Sequence, residues 1–302
     1  MGNPDPAIET YGLSKKYPKS RTYALQDLDL TIEPGEVYGF LGPNGAGKST
    51  TVRLLMNFIQ PTHGNAVILG QDIVKQATAI KRNIGYLSGD VSLYPKMTGR
   101  QFLTYMAGLQ PPRRSAFANE LVKRFEAEIN KKISDLSKGN KQKIGLIQAF
   151  MHEPDILILD EPTSGLDPLM QEAFYELVRQ TKERGATLFV SSHNLTEVQK
   201  MCDRVGFIRE GRLIAEQNIN ELSQSAVQTY DIAFGQKLPL TEIRKLAKVK
   251  VLANTSHHAT ITIRGDLKPL LGLLARHQVL SIERREISLE DEFLKYYKGD
   301  KE

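Results

Sequence analysis

The residues with the plainest chemistry lie at 42–50. There Gly42-Pro43-Asn44-Gly45-Ala46-Gly47-Lys48-Ser49-Thr50 fits the phosphate-loop pattern G-x-x-x-x-G-K-[ST]. Three glycines at this spacing open backbone conformations closed to residues with a Cβ, and let a phosphate approach the main chain. The Lys48 ammonium would reach the β- and γ-phosphates of a nucleotide, and the Ser49 hydroxyl would complete a Mg²⁺ shell. A second group is Asp160-Glu161, directly behind the apolar run Ile156-Leu157-Ile158-Leu159. An aspartate at the end of a buried strand can hold Mg²⁺ beside such a loop, usually through water. The glutamate one residue on is well placed to orient and deprotonate an attacking water. Two apolar residues followed by Asp-Glu mean little alone; downstream of a phosphate loop in an alternating domain, they are its partner.

These groups need a scaffold that holds them together. Glu36–Leu41 reads as a buried strand feeding the loop, and Val52, Leu54, Leu55, Met56, Phe58 and Ile59 recur at helical spacing after it. A strand-loop-helix unit aims backbone N–H groups and the positive end of a helix at one small volume. Ahead of it, a strand at Ile8–Leu13 and the alternation of Leu28, Leu30 and Ile32 with polar neighbours predict a half-buried antiparallel sheet. Pro61–Asn65 reads as a turn, Ala66–Leu69 and Ile84–Leu87 as strands. From Thr98 to about Lys132 apolar residues follow helical spacing, broken at Pro111-Pro112, which predicts an inserted helical subdomain. Arg113-Arg114 and Lys131-Lys132 read as solvated faces there. Strands at Ile156–Leu159 and Thr187–Val190 flank a helix that begins near Pro168, buries Leu169, Ala173, Phe174, Leu177 and Val178, and stops at Gly185. Asn194 caps a further helix with Glu197 as its capping partner, and Arg209–Arg212 reads as a hairpin turn. Strands alternating with helices make a mostly parallel sheet.

The nucleotide-binding pattern ends near Ser223-Gln224-Ser225. The remaining residues read as strand 229–234, helix 240–247, strands 248–253 and 259–263, helix 267–276, strand 279–285 and a last helix from about Leu289. That order predicts a small α+β, ferredoxin-like domain. His257-His258 fall in its polar turn, where a surface loop is the plainer reading than a metal site. The 302 residues suit one large domain and a smaller one. A single cysteine, Cys202, excludes an internal disulfide framework and fits a reducing compartment. The start, Met1–Pro6, carries no signal-peptide pattern, and no apolar run reaches membrane-spanning length, so any membrane role is expected to be peripheral. A net charge of +5, from 40 Lys and Arg against 35 Asp and Glu, is interleaved along the chain and diagnostic of no partner.

Further fragments stand in a telling order. Leu136-Ser137-Lys138-Gly139-Asn140 precedes Asp160-Glu161, Ser164-Gly165-Leu166-Asp167 follows it, and His193 lies just past a strand. Together these residues resemble the ATP-binding subunits of ABC transporters over about Ile8 to Leu222. On that resemblance, 136–140 is the L-S-G-G-Q signature, 164–167 the D-loop, His193 the switch histidine, and Tyr17 the aromatic that stacks on adenine. Gly85-Tyr86-Leu87, Leu93-Tyr94, Met97-Thr98-Gly99-Arg100, the L-S-K-G-N signature and Leu289-Glu290-Asp291-Glu292-Phe293 are similar to exporters of the bacitracin, drug and sodium efflux branch. The implied fold is an α/β P-loop NTPase at 1–222, with an antiparallel β subdomain and a helical subdomain at about 98–140, then the C-terminal domain at 223–302.

The resemblance also implies a mechanism. Two chains, as a homodimer or a heterodimer with a similar ATPase, sandwich two ATP. Each site combines Lys48, Ser49, Asp160, Glu161 and His193 of one subunit with Ser137 and Gly139 of the other. The cofactors are ATP and Mg²⁺, and the partner is a separate transmembrane permease at the cytoplasmic face of the cell membrane; no nucleic acid is expected. Two departures stand out. The family's glutamine after the strand at Leu87 is missing from Ser88-Gly89-Asp90, where Asp90 is the side chain available to the metal, and Lys138 and Asn140 alter the signature. An export motor is the leading reading. A non-transport ABC ATPase acting on DNA or the ribosome, and a nucleotide-dependent regulator without turnover, are the alternatives; the first lacks a basic tract in its favour.

Overall fold

In β1 (Ile8–Lys15) and β2 (Leu25–Ile32), polar and apolar residues alternate, and the two pair antiparallel with Ile8 opposite Ile32 and Thr10 opposite Leu30. In the computed structural model, which describes residues 5–110, 113–114, 116–219, 228–263 and 267–285, the chain divides into two compact units, Met1–Gln217 and Asn218–Glu302. In the first, every residue of β3 (Val37–Leu41) is buried, the mark of a strand covered on both faces. The phosphate loop then leads into α1 (Lys48–Leu55).

The apolar spacing predicts a helix running on to Ile59, but α1 stops at Leu55. Asn57 takes a left-handed φ of +48°, its N–H bonds the Leu54 carbonyl and the Phe58 N–H bonds the Arg53 carbonyl. This crossed pair of bonds is the Schellman ending, in which asparagine accepts the left-handed position at little strain. Phe58 is thereby turned outward, edge-on to Tyr86 with ring centroids 5.3 Å apart.

Next, β4 (His63–Ile68) begins three residues earlier than expected, because His63 and Asn65 pair with Ser14 and Tyr11 along β1. Leu69, expected at the strand's end, sits instead with Gly70 in a turn where both φ are positive, leading to β5 (Gln71–Asp72). The order β2-β1-β4-β5 makes the first sheet. After α2 (Ala77–Lys81) and β6 (Ile84–Leu87), the helical region opens with α3 (Gly99–Leu109), whose Thr98 and Gln101 form a reciprocal capping box, and α4 (Phe117–Arg124). A bridge between Thr98 and Lys132 closes its base, and α5 (Lys138–Phe150) starts on a Ser137 cap.

Arg113 and Arg114 are not simply solvated. Arg113 lies 2.7 Å from Asp155, and Arg114 lies 3.0 Å from Glu120 and 3.6 Å from Glu153, so they tie this region to the segment after α5. Each arginine stays half exposed, which limits such a pair to about 0–1 kcal/mol.

β7 (Ile156–Asp160), α6 (Pro168–Glu183), β8 (Thr187–Ser192), α7 (Leu195–Met201), β9 (Arg204–Arg209) and β10 (Arg212–Asn218) complete the unit. The second sheet has the order β10-β9-β3-β8-β7-β6, with β3, β6, β7, β8 and β9 parallel. In its core Tyr38 stacks on Phe189, and Phe40 meets the same ring at a tilt. Leu169, expected on the buried face of α6, is 77% exposed at the first turn. Asn194 caps α7 through Thr196 and Glu197, but the Glu197 carboxylate turns to the Ser192 hydroxyl rather than closing a capping box.

His152, buried at the end of α5, has an Nε2 without a hydrogen-bond partner among the described residues. Burial lowers its pKa, Arg113 and Arg184 add to the shift, and backbone bonds at Ile84 and Gln148 oppose it. The unfolded chain therefore binds a proton that the folded chain refuses, so stability falls as pH drops below about 6.5. His152→Gln is expected to flatten that slope, which thermal melts between about pH 7 and pH 5 would read.

The second unit contains β11 (Gln228–Phe234), a helix at Leu240–Lys245, β12 (Val249–Asn254), β13 (His258–Ile263), a helix at Lys268–Leu274 and β14 (Val279–Arg285). All pairings are antiparallel in the order β12-β13-β11-β14. Ile232, Phe234, Ala259 and Ile261 form its core with Ile243 and Leu270. The first helix ends two residues before the expected Ala247, because its C-cap Leu246 is already extended at ψ 129°, and Lys248 then turns through a φ of +62° into β12. His258 opens β13, and the described residues hold no cluster of His, Cys, Asp and Glu fit for a metal. The expected boundary at 223–225 and the last helix from Leu289 lie outside the described residues. No described helix is long and apolar enough to cross a membrane.

Candidate functional site

The loop between β3 and α1 turns sharply enough to need glycine at Gly47, the N-cap of α1 at φ +116°. A Cβ there would lie 2.6 Å from the Ala24 carbonyl oxygen. Ala46 is buried, its carbonyl accepting from the Gly211 N–H of the β9–β10 turn, and Gly42 offers its carbonyl to Lys48. Pro43, Asn44, Gly45, Gly47, Lys48, Ser49 and Thr50 line a cleft of about 450 Å³.

Its opposite wall comes from the ends of β7 and β8, at the carboxyl edge of the parallel sheet where α/β folds place ligands. Asp160 is buried and accepts from the Ser191 hydroxyl on β8. Glu161 leaves the strand at φ +50°, an uncommon conformation for glutamate, with its N–H on the Ser191 carbonyl at 3.1 Å. That turn swings the carboxylate across the cleft mouth. Oε1 lies 3.3 Å from Lys48 Nζ, and Oε2 lies 2.6 Å from Nδ1 of His193, just past the end of β8. Lys48 also donates to the carbonyls of Gly42 at 2.7 Å and Pro43 at 3.2 Å. One carboxylate thus joins the loop's cation to the exposed histidine.

Asp90 lines the cleft too, together with Ser88 and Gly89. Gly89 packs so closely on Asp160 that a Cβ would lie 3.1 Å from Oδ2. The described acids are not gathered into a group that holds a metal unaided. The oxygens of Ser49 and Asp160 are nevertheless the hard donors Mg²⁺ takes when phosphates supply the rest of its shell.

Gly42 and Ala46 of the phosphate loop lie behind the lining, and three expected residues outside that loop do not join the cleft. Ser137 caps α5, accepting from Asn140 N–H at 3.2 Å, and Gly139 faces Gly165; neither lines the cleft of its own chain. Tyr17 is half-buried with Lys15 Nζ 5.6 Å from its ring centroid, and Ala24 lines the cleft instead. Asn140 is turned inward, where its side chain bonds the N–H and carbonyl of Glu128. Conversely, Arg53 lines the cleft although no pattern names it, and Tyr86 and Ser164, read from sequence only as parts of a branch motif and of the D-loop, line it as well. Burial raises the Tyr86 phenol's pKa, its bond with Ser88 opposes the shift, and the Asp160 charge adds to it. Five residues after Lys48, Arg53 is legible as a cation near the loop; that Tyr86 and Ser164 stand in the cleft wall needs the fold.

The chain matches the family described as ABC transporter over residues 25–164. It is 34% identical over 275 residues to an ABC transporter ATP-binding protein of Bacillus subtilis, YhcH, covering 89% of this chain and 90% of that protein. It is 37% identical over 212 residues to the bacitracin transport ATP-binding protein BcrA of Bacillus licheniformis, covering 69% of each. An ATP-binding cassette solved as a dimer in a post-hydrolysis state with ADP and Pi matches at a TM-score of 0.64 and 25% identity, over 70% of this chain and 98% of that one. The motif order, the phosphate cleft and these relatives agree: the chain belongs to the ATP-binding subunits of ABC transporters and is an ATPase.

Proposed function

We propose that this chain is the motor subunit of an exporter. It works at the cytoplasmic face of the cell membrane on a separate transmembrane permease, and it closes with a second cassette around two Mg-ATP. The observation that carries this reading is the division of the site: Lys48, Ser49, Asp160, Glu161 and His193 share one cleft, while Ser137 and Gly139 do not reach it. A second chain supplies the missing wall. The name of the bacitracin transport relative and the dimeric cassette support the reading.

In the mechanism, the Lys48 ammonium exchanges the Gly42 and Pro43 carbonyls and Glu161 for the β- and γ-phosphates. Glu161, released from that pair, holds the attacking water and takes its proton, while His193 turns to the γ-phosphate. Ser49 and Asp160 would hold Mg²⁺, with Asp90 at the cleft wall, and the ion supplies charge neutralisation at the phosphates. Adenine would extend past the cleft lining at Ala24 to stack on the Tyr17 ring. Ser137 and Gly139 of the facing chain close over the γ-phosphate. Hydrolysis then splits one shared anion into two that repel, and the pair of cassettes opens.

The test is membrane capture. Tagged chain from its native cells is expected to sediment with membranes, to bring down a membrane-spanning polypeptide, and to turn over ATP several-fold faster with that polypeptide than alone. Recovery with ribosomes or nucleic acid instead would overturn the reading.

A further inference from the structure

Gln142 has no part in the chemistry above, yet it is 2% exposed and its amide is aimed at the segment that carries the catalytic carboxylate. Its Nε2 donates to the Glu161 carbonyl at 3.3 Å and the Pro162 carbonyl at 2.9 Å. Three residues earlier on the same helical face, Gly139 approaches Gly165 so closely that a Cβ would lie 2.7 Å from the Gly165 carbonyl oxygen. One face of α5 is therefore locked to the loop 161–165 at both ends. Glu161 occupies its left-handed conformation within that loop, with its carbonyl also accepting from Ser164 N–H at 3.1 Å. A backbone held in a sparsely populated conformation needs surrounding bonds to keep it there. The Gln142 amide supplies two of them from outside the loop.

The start of α5 is the segment that, on the two-cassette reading proposed above, meets the facing chain's nucleotide. We infer that Gln142 is a positioning residue that makes each chain's Glu161 answer to the nucleotide in the opposite site. Nucleotide on Ser137 and Gly139 settles the start of α5, and the Gln142 amide passes that placement to the Glu161–Pro162 backbone and so to the carboxylate. Because the link runs through peptide carbonyls, it changes the rate of hydrolysis more than the grip on ATP in the same chain's own cleft.

The experiment measures steady-state ATP turnover against ATP concentration in the full chain, with a fluorescent ATP analogue giving the binding constant. Wild type is expected to be sigmoidal with a Hill coefficient of about 2, since two sites are coupled. Gln142→Met keeps length and removes the donor. It should lower kcat about tenfold or more, as small misplacements of a reacting group do, and bring the Hill coefficient to about 1 while analogue affinity changes less than about twofold. Gln142→Glu keeps the inference testable if the methionine variant does not fold. Its carboxylate repels the two carbonyls when ionised and donates one bond when protonated, so turnover should recover as pH falls, a profile that wild type lacks. Wild-type kcat and cooperativity in Gln142→Met, or affinity lost in step with turnover, would overturn the coupling. A wild type that is hyperbolic and never associates with ATP would instead sink the two-cassette reading, a result separable from the first.

Discussion

Glu161→Gln is expected to cut ATP turnover by about 10²- to 10³-fold, within the range removal of a general base produces, while ATP still binds. The geometry supplies both halves of that expectation. The amide keeps the length and the left-handed backbone of Glu161, so the loop through Ser164 keeps its shape. It has no negative charge, so the 3.3 Å pair with Lys48 disappears and the ammonium meets phosphates without first leaving a carboxylate. The amide cannot take a proton from water, which is the loss that turnover reads. Uncleaved ATP then persists between two cassettes, and the variant should elute at twice the monomer mass in Mg-ATP but not in ADP. Phosphate release measures the first effect and size-exclusion chromatography with light scattering the second. Turnover at the wild-type rate would mean that another group handles the water. His193, 2.6 Å from Glu161, is the nearest candidate.

Most of that site was legible because its parts are short strings whose chemistry travels with their order. The glycine-rich loop before Lys-Ser declares itself within a few residues. The acid pair after four apolar residues and the histidine after a buried strand mean little alone and become legible through their order behind that loop. The structure brings Lys48, Asp160, Glu161 and His193 to one cleft. What stayed hidden depends on the third dimension. Gln142 is one polar residue on a long helix, and its acceptors lie 19 and 20 positions away, across a packing contact that periodicity does not encode. The apolar spacing carries α1 on through Phe58 and Ile59, while Asn57 ends the helix through backbone conformation. Leu169 reads as core by spacing, yet on the first turn of α6 it is Met170 that turns inward and Leu169 that faces out. Arg113 and Arg114 found carboxylates at 120, 153 and 155, pairings that no local pattern signals.

Lys48→Ala should fail at an earlier step than Glu161→Gln, with ATP affinity and turnover falling together by about 10²-fold or more, as expected when charge-assisted contacts to phosphate are lost. Lys48 is buried, and its ammonium spans the cleft from the Gly42 and Pro43 carbonyls to Glu161. Alanine removes the cation and leaves the two acids of the opposite wall, Asp160 and Glu161, facing incoming phosphates with less to offset their charge. Arginine is no substitute. Its planar fork is longer and wider than an ammonium, and the space between loop and carboxylate is shaped for a point charge. The two variants therefore separate the ends of one ion pair: loss of the carboxylate should leave a chain that binds and stalls, loss of the ammonium a chain that scarcely binds. Binding of a fluorescent ATP analogue and phosphate release, measured on both, decide the matter. Should Lys48→Ala bind the analogue normally and stall as Glu161→Gln does, the ammonium would act on the transition state alone. Should both variants lose binding equally, the 3.3 Å contact would be a brace for the fold, and the assignment of Glu161 to the water would have to be given up.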